Sequence, residues 1–311
     1  MAFQNILPDP NNTIGDTGKA TVGGEGPGYK SVSITSKSEV MSQRTNSGRL
    51  VTRSASGHTW SVSIGYNPLT RAQFDPLFSF LLHKRGNLNP FFVSLPQNKV
   101  PQTTLFAKTV RPTNESVGGV AGLGKVVKSV QLPQAGGTFI VGQEYKITAV
   151  TGGTNWSSVG GPTSASVGDT FTATAVGTSA LTSASPTYAK AGTDNILMSF
   201  ASYDAGTQGA PKPGDFFTVT DASDSNHTKV YQVVRTETKD TYDSQPADDG
   251  TNTETARLYI SPALQRNLYD DATLTFHNPL MRVIATSDTQ KYSLDHKNLY
   301  EFSLKLQEAQ K

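Results

Sequence analysis

Residues 58–96, HTWSVSIGYNPLTRAQFDPLFSFLLHKRGNLNPFFVSLP, change their hydrophobic period twice, and those changes decide the fold class. Over 58–66, Trp60, Val62 and Ile64 alternate with Ser61, Ser63 and Gly65, the two-residue period of a strand with one buried face. Over 67–86 the period lengthens. Phe74, Leu77, Phe78, Leu81 and Leu82 recur at spacings of three and four, which predicts an amphipathic helix over about 74–84. Thr70 is placed as its N-cap and Gly86 as its C-terminal stop. Pro76 suits such a helix only in the first turn, so the start is expected near Phe74 or Asp75. Residues 89–96, NPFFVSLP, then read as a short strand closed by proline.

Working outward, shorter alternating stretches appear at 32–40 and 50–53, and further strands are expected at 196–200, 215–219, 229–234, 257–260, 272–276, 281–285 and 299–306. In the last, Tyr300, Phe302, Leu304 and Leu306 share one face while Glu301, Ser303, Lys305 and Gln307 share the other. Short strands with turn-rich spacers predict a mainly β protein, an antiparallel sandwich or barrel core with one amphipathic helix. Residues 137–189, rich in Thr, Ser, Gly and Ala, stand apart in composition and are expected to form a small inserted β module. Residues 1–30 are expected to be an extended arm, 31–110 with 190–311 a discontinuous core, and 111–136 a linker.

Bulk composition narrows the function classes. The 27 Lys+Arg against 25 Asp+Glu leave no overall footprint for nucleic acid or an anionic membrane. The absence of cysteine removes disulfide and thiolate chemistry and suits folding in a reducing cytosol. The longest apolar stretch, 76–82, is far short of the ~20 residues of a spanning helix. The opening MAFQNILPDP lacks the basic and apolar regions of a secretory signal, so the chain is expected to remain in the cell that makes it.

Motifs of chemistry are sparse. GVAGLGK (119–125) has the spacing of a phosphate-binding loop, but Val126 stands where a magnesium-holding Ser or Thr belongs, and a Gly-rich linker is the preferred reading. His58, His83, His227, His277 and His296 show no spacing that aims two imidazoles at one metal. The acidic loops 221–226 (DASDSN) and 243–250 (DSQPADDG) lack the ligand spacing of a calcium loop and read as hairpin tips. No GxSxG elbow is present, whereas a carboxylate pair for glycoside cleavage could come from distant positions. No catalytic, cofactor-binding or metal-ligating residue is assigned, and no cofactor is expected.

The block 60–96 resembles tail-structure proteins of tailed bacteriophages through Trp60, Phe74, Leu77, Phe80, Leu81, Arg85, Gly86, Pro90, Phe91, Val93, Leu95 and Pro96. Its continuation over 213–309 carries PGDFFTV, KVYQVV, RLYISPAL, NPLMRVIA and YEFSLKLQEA, in an order similar to distal-tail and baseplate-ring components. The module resembles a small β module of marine and cyanobacterial phage structural proteins through Phe139, Gly142, Tyr145, Ile147, Trp156, Gly160, Gly168, Phe171, Ala173 and Thr174. The resemblance implies a non-enzymatic virion component, assembled in the host cytoplasm. Its implied partners are copies of itself, in a ring of about six, and other tail proteins such as tube, hub or baseplate parts. A receptor- or glycan-binding adhesin and a cell-wall-degrading tail enzyme are the alternatives. Arg71, Lys84 and Arg85, flanking the helix stripe, are the candidate interface residues, and Trp156 is the candidate exposed recognition residue.

Overall fold

The computed structural model describes residues 5–9, 26–131, 139, 141–150, 156–176, 184–199, 209–238 and 255–310. Most of the expected N-terminal arm and the acidic loop 243–250 lie outside the described residues. In chain order the elements are β1 (Tyr29–Arg44), β2 (Leu50–Tyr66), α1 (Arg71–Lys84), β3 (Phe91–Ser94), α2 (Thr104–Val110), β4 (Val127–Val130), β5 (Glu144–Ile147), β6 (Thr170–Thr172) and β7 (Ala184–Pro186). They continue with β8 (Asn195–Ser199), β9 (Phe216–Thr220), β10 (Val230–Thr238), β11 (Thr255–Ser261), β12 (Thr273–Thr275), β13 (Leu280–Ala285) and β14 (Ser303–Glu308). The protein is mainly β, as expected, and its sheets are antiparallel. Among the described residues it has two α-helices rather than one.

Two compact units emerge, Met1–Lys99 with Asn278–Lys311, and Val100–His277. This division differs from the single discontinuous core expected over 31–110 and 190–311. The strands from β8 to β12 close on one another and on β4, which leaves only β13 and β14 to pair with the N-terminal strands.

In the first unit β1, β2, β14, β13 and β3 lie side by side in that order. Alternation buries one face, with Trp60, Val62, Ile64 and Tyr66 on β2, Leu304 and Leu306 on β14, and Met281, Val283 and Ala285 on β13. Helix α1 packs its aromatic residues against this unit's strands. Phe74 stacks on Tyr300 at 4.3 Å and meets Phe302 at 5.9 Å, and Phe80 meets Phe91 edge-on at 5.4 Å.

The helix starts three residues earlier than the period suggested. Gln73 Oε1 accepts hydrogen bonds from the Thr70 backbone N–H and hydroxyl, each at 3.1 Å, and fixes Thr70 as the N-cap. Pro76 therefore sits inside the helix, where it offers no N–H to the Ala72 carbonyl. The buried stripe is Phe74, Leu77, Phe80, Leu81 and Lys84. Leu82 points about 140° round the helix from Leu77 and is 55% exposed, while Phe78, at about 100°, is half-buried. At the other end Arg85 caps the helix in the left-handed region at φ 55°, and Gly86 follows it at φ 66°, as its place as the stop requires. A Cβ on Gly86 would also stand 2.9 Å from the Asp288 Cα. The chain itself covers the outer edge of β3, where Leu7 N–H donates to the Phe92 carbonyl at 2.8 Å and Phe92 N–H to the Asn5 carbonyl. Lys84 turns inward and donates from Nζ to Asn5 Oδ1 at 2.7 Å.

In the second unit β8, β11, β10, β9, β12 and β4 form a closed six-stranded barrel. Its core is filled by residues such as Ile196, Met198, Phe217, Tyr231, Val233, Leu258, Ile260, Leu274 and Phe276. The stretch expected as a linker with one or two strands contributes to the barrel. Residues 127–130 alternate buried and half-buried as β4, which pairs with both β8 and β12 and closes the barrel. Helix α2 adds Phe106 to the same core, 5.1 Å from Phe276. Strands β6, β5 and β7 form a separate three-stranded sheet. Phe139, Tyr145, Ile147, Trp156, Val159, Phe171, Ala173 and Ala184 make up its own core cluster.

Two outcomes test these assignments. Leu77→Ala, which empties a fully buried site, is expected to cost about 2–5 kcal/mol, and Leu82→Ala no more than about 0.5 kcal/mol, measured by denaturant unfolding. Deleting 137–186 behind a short Gly/Ser join is expected to leave cooperative thermal unfolding of the remainder, because the removed segment buries its own apolar residues. Non-cooperative melting of the deletant would show that the barrel depends on it.

Candidate assembly surface

β1 and β2 are sixteen and seventeen residues long, well beyond the usual strand. Only the base of this hairpin belongs to the five-stranded sheet. Residues 61–65 of β2 pair with 303–307 of β14, whereas 50–54 and 58–60 pair with β1 alone. The outer part is thus a two-stranded ribbon. It leaves the sheet at buried His58 and Trp60, where Ser36 Oγ lies 2.9 Å from His58 Nε2 and the Trp60 N–H donates to Glu308 Oε2 at 3.2 Å. At the base Tyr29 and Tyr66 meet edge-on at 5.6 Å. Burial, with Asp9 nearby, pushes both phenols above their ordinary range and keeps them neutral.

The tip turns through 45–49. Thr45 N–H donates to the Arg49 carbonyl at 2.9 Å, Gly48 N–H to the Thr45 carbonyl at 2.8 Å, and Gly48 takes φ 81°. Apolar side chains are exposed near this tip: Val40 58%, Met41 70%, Leu50 56% and Val51 51%. Residues directly opposite share a face, so Met41 and Val51 lie on one face with Gln43 and Arg53, and Val40 and Leu50 lie on the other with Ser42, Thr52 and Arg44. Lys37, Arg44, Arg49 and Arg53 make the ribbon basic, and Glu39, 3.5 Å from Lys37, is its single acid. An isolated two-stranded hairpin is marginally stable in water. Covering four such side chains is worth roughly 1.5 kcal/mol or more each. The arrangement suits a surface that is completed by a partner.

Expected site residues fall in different places. Arg71 is exposed and pairs with Asp75 through Nε and Oδ2 at 3.1 Å, and Arg85 is exposed at the helix cap. Lys84 is corrected: its 4% exposure and bond to Asn5 put it inside, where burial lowers the pKa of its ammonium. Trp156 is corrected as well. It is fully buried between Phe139 and Phe171, and a Cβ on Gly161 would lie 2.5 Å from its own Cβ, so it offers no exposed recognition surface. Sequence reasoning missed the ribbon tip. Its signal was the apolar pairs Val40–Met41 and Leu50–Val51 within otherwise polar strands.

The motifs of chemistry are tied up in structure. In 119–125 the N–H groups of Leu123, Gly124 and Lys125 donate to the carbonyls of Lys108, Arg111 and Thr109, so these amides fasten the segment to α2 and its C-terminal end. Gly122 permits this approach, since a Cβ there would meet the Arg111 carbonyl oxygen at 2.2 Å. In 221–226, Asp221 accepts backbone N–H groups of Ser223, Asp224 and Tyr269, and Asp224 binds Arg266. Among the described residues no three His, Asp or Glu side chains converge as metal ligands. His83 and His296 are exposed, and His277 Nε2 lies 3.0 Å from Glu115. A cleft of about 660 Å³ beside β14 is lined by Lys30, Tyr66, Lys291, Tyr292 and Phe302, with Glu301 as its one lining carboxylate.

No family model and no curated protein matches this chain. The reading of its surface therefore rests on its own residues.

Buried His227, with Nε2 2.8 Å from Tyr231 Oη, supplies a pH test. Burial holds its pKa below the usual value near 6.5, against the raising effect of the Asn267 backbone, Asp221 and Asp224. The folded chain keeps this ring neutral while the unfolded chain protonates it near pH 6.5. Stability is undiminished above that pH and falls as pH drops below it toward the folded pKa. The melting temperature is expected to fall between pH 7.5 and 5.5 more steeply in the parent than in His227→Gln. Equal slopes would remove His227 as the cause.

Proposed function

We propose that this chain is a structural subunit of a tailed-bacteriophage tail, at the distal-tail or baseplate ring, and that it works by assembly rather than catalysis. The observation that carries the reading is the ribbon: two strands leave their sheet with both faces exposed, apolar residues near the tip and a basic charge. A free subunit gains nothing from such an element, whereas a neighbour that covers it gains buried apolar area and direction. The resemblance of 60–96 and 213–309 to tail-ring components supplies the particle. Copies of the chain and adjoining tail proteins are its partners, and the virion is its place of action.

The adhesin alternative loses its motivating residue, since Trp156 is buried. The cell-wall-degrading alternative asks for two facing carboxylates, and among the described residues the cleft beside β14 has one carboxylate, Glu301, in its lining. Among the described residues no helix is long and apolar enough to cross a membrane.

Negative-stain images and light scattering of the purified chain, over a range of concentration and salt, are expected to give closed rings with rotational symmetry. A monomer at every concentration would overturn the proposal.

A further inference from the structure

We infer that the outer edge of β1 pairs antiparallel with the same edge of a second copy, about a two-fold axis at Ser38. This deepens the assembly reading by naming a contact and its partner, and it rests on that reading. Among the described residues β1 is paired on one side only, whereas the chain's own Asn5 and Leu7 already bond the opposite edge of the sheet at Phe92. The free side is regular. Where the ladder slips, Ser38 faces His58 and Val40 faces Ser54, so the extra residues lie on β2, and Glu39 alone bridges the step on β1. No proline interrupts 29–44, so no N–H is missing from the edge.

Charge sets the register. In an antiparallel pair residues directly opposite share a face, and two-fold symmetry then matches odd positions with odd and even with even. Glu39, the one acid of β1, has Lys37 on its own face and Arg44 on the other. A two-fold at Ser38 puts Lys37 of each copy opposite Glu39 of the other, which gives two favourable cross-strand pairs. Centred on Lys37 or Glu39, the pairing would set like charges face to face, and centred on Met41 it would leave Glu39 opposite Gln43. The Ser38 register also parts the cationic tips. Arg44 of each copy lies opposite Val32 of the other, so the two guanidinium groups are roughly 40 Å from one another.

Edge pairing also answers the exposure on both sides of the ribbon. Val40 and Met41 lie on opposite faces, and a contact made against one face reaches only one of them. In the Ser38 register Val40 stands opposite Ser36 of the second copy, with Ile34 of that copy on the adjacent diagonal, and Met41 stands opposite its Thr35. Each gains a cross-strand neighbour on its own face. The contact is isologous, so together with one further contact it builds a closed assembly of dihedral symmetry.

The chain has no cysteine, so a spin label can be attached at one introduced position. In the assembled full-length chain, labels on Ser38→Cys are expected within about 10 Å of their two-fold mates, and labels on Gln43→Cys about 30 Å apart. Lys37→Glu is expected to weaken association about tenfold at low salt and less as salt rises. Lys37→Glu with Glu39→Lys is expected to restore it, because the exchange keeps opposite charges facing. Both side chains are exposed, so the melting temperature of the dilute monomer is expected to stay unchanged in each variant. Two outcomes leave the assembly reading standing and overturn this contact: labels that approach more closely on Gln43→Cys than on Ser38→Cys, and an exchanged variant that associates no more tightly than Lys37→Glu alone. Parent chains that gather only on phosphatidylglycerol vesicles, with the Ser38→Cys labels still far apart, would place the edge on lipid and overturn it too. A chain that is monomeric throughout overturns both.

Discussion

The antiparallel ladder between β1 and β2 is the constraint on which the first unit depends. Backbone N–H and C=O groups must find partners wherever they are buried. Near its C-terminal end β2 meets this demand on both sides, with β1 on one and β14 on the other. That double pairing carries the sheet to β13 and β3 and provides the floor on which α1 lays Phe74, Leu77 and Leu81. Towards the turn the same strand pairs on one side only. The ladder keeps its direction while the environment changes from core to solvent, and the change comes at His58 and Trp60.

Legibility of the sequence followed burial. Where one face packs on a core, the period is clear: Trp60, Val62 and Ile64, and Phe302, Leu304 and Leu306, were assigned to inward faces and lie there. Thr70 was legible because a cap depends on nearby residues. The choice between Phe78 and Phe80, by contrast, depends on what the fold sets against the helix, and Phe91 stands edge-on to Phe80. Lys84 reads as a surface residue by type, and only the fold brings Asn5 within reach of its ammonium. One or two strands were expected over 97–136, but β4 was not placed among them because a four-residue barrel strand is shorter than the window in which a period can be counted. The ribbon was hidden for another reason. With neither face against a core, the alternation breaks off between 32–40 and 50–53, and the two look like fragments rather than one hairpin.

The two units hold their cores in different ways, and this bears on which surfaces are free. A closed barrel has no edges to offer, so the ladders of β8 to β12 and β4 are spent on one another. An open sheet has two. One is bonded at Phe92 by the chain's own Asn5 and Leu7, and β1 forms the other. In the five-stranded sheet the unpaired edge among the described residues is thus β1, the strand that also leads to the exposed tip.

That coincidence argues against the ribbon being a passive loop. Natural sheets protect open edges with charge, bulges or short strands, because an unguarded edge invites pairing. β1 has a register shift between Ser38 and Val40 and carries Lys37, Glu39 and Arg44. These features oppose indiscriminate pairing. Yet the strand is kept sixteen residues long, and apolar Val40 and Met41 sit between the charges. An edge that only needed protection would be shorter and wholly polar. An edge that is guarded and also retains apolar contact area is suited to a chosen partner, one whose charge matches and whose surface can cover both faces of the tip. The adjacent apolar residues Val40–Met41 and Leu50–Val51, one of each pair on either face, are then the sequence signature of an element whose second side is supplied by another molecule.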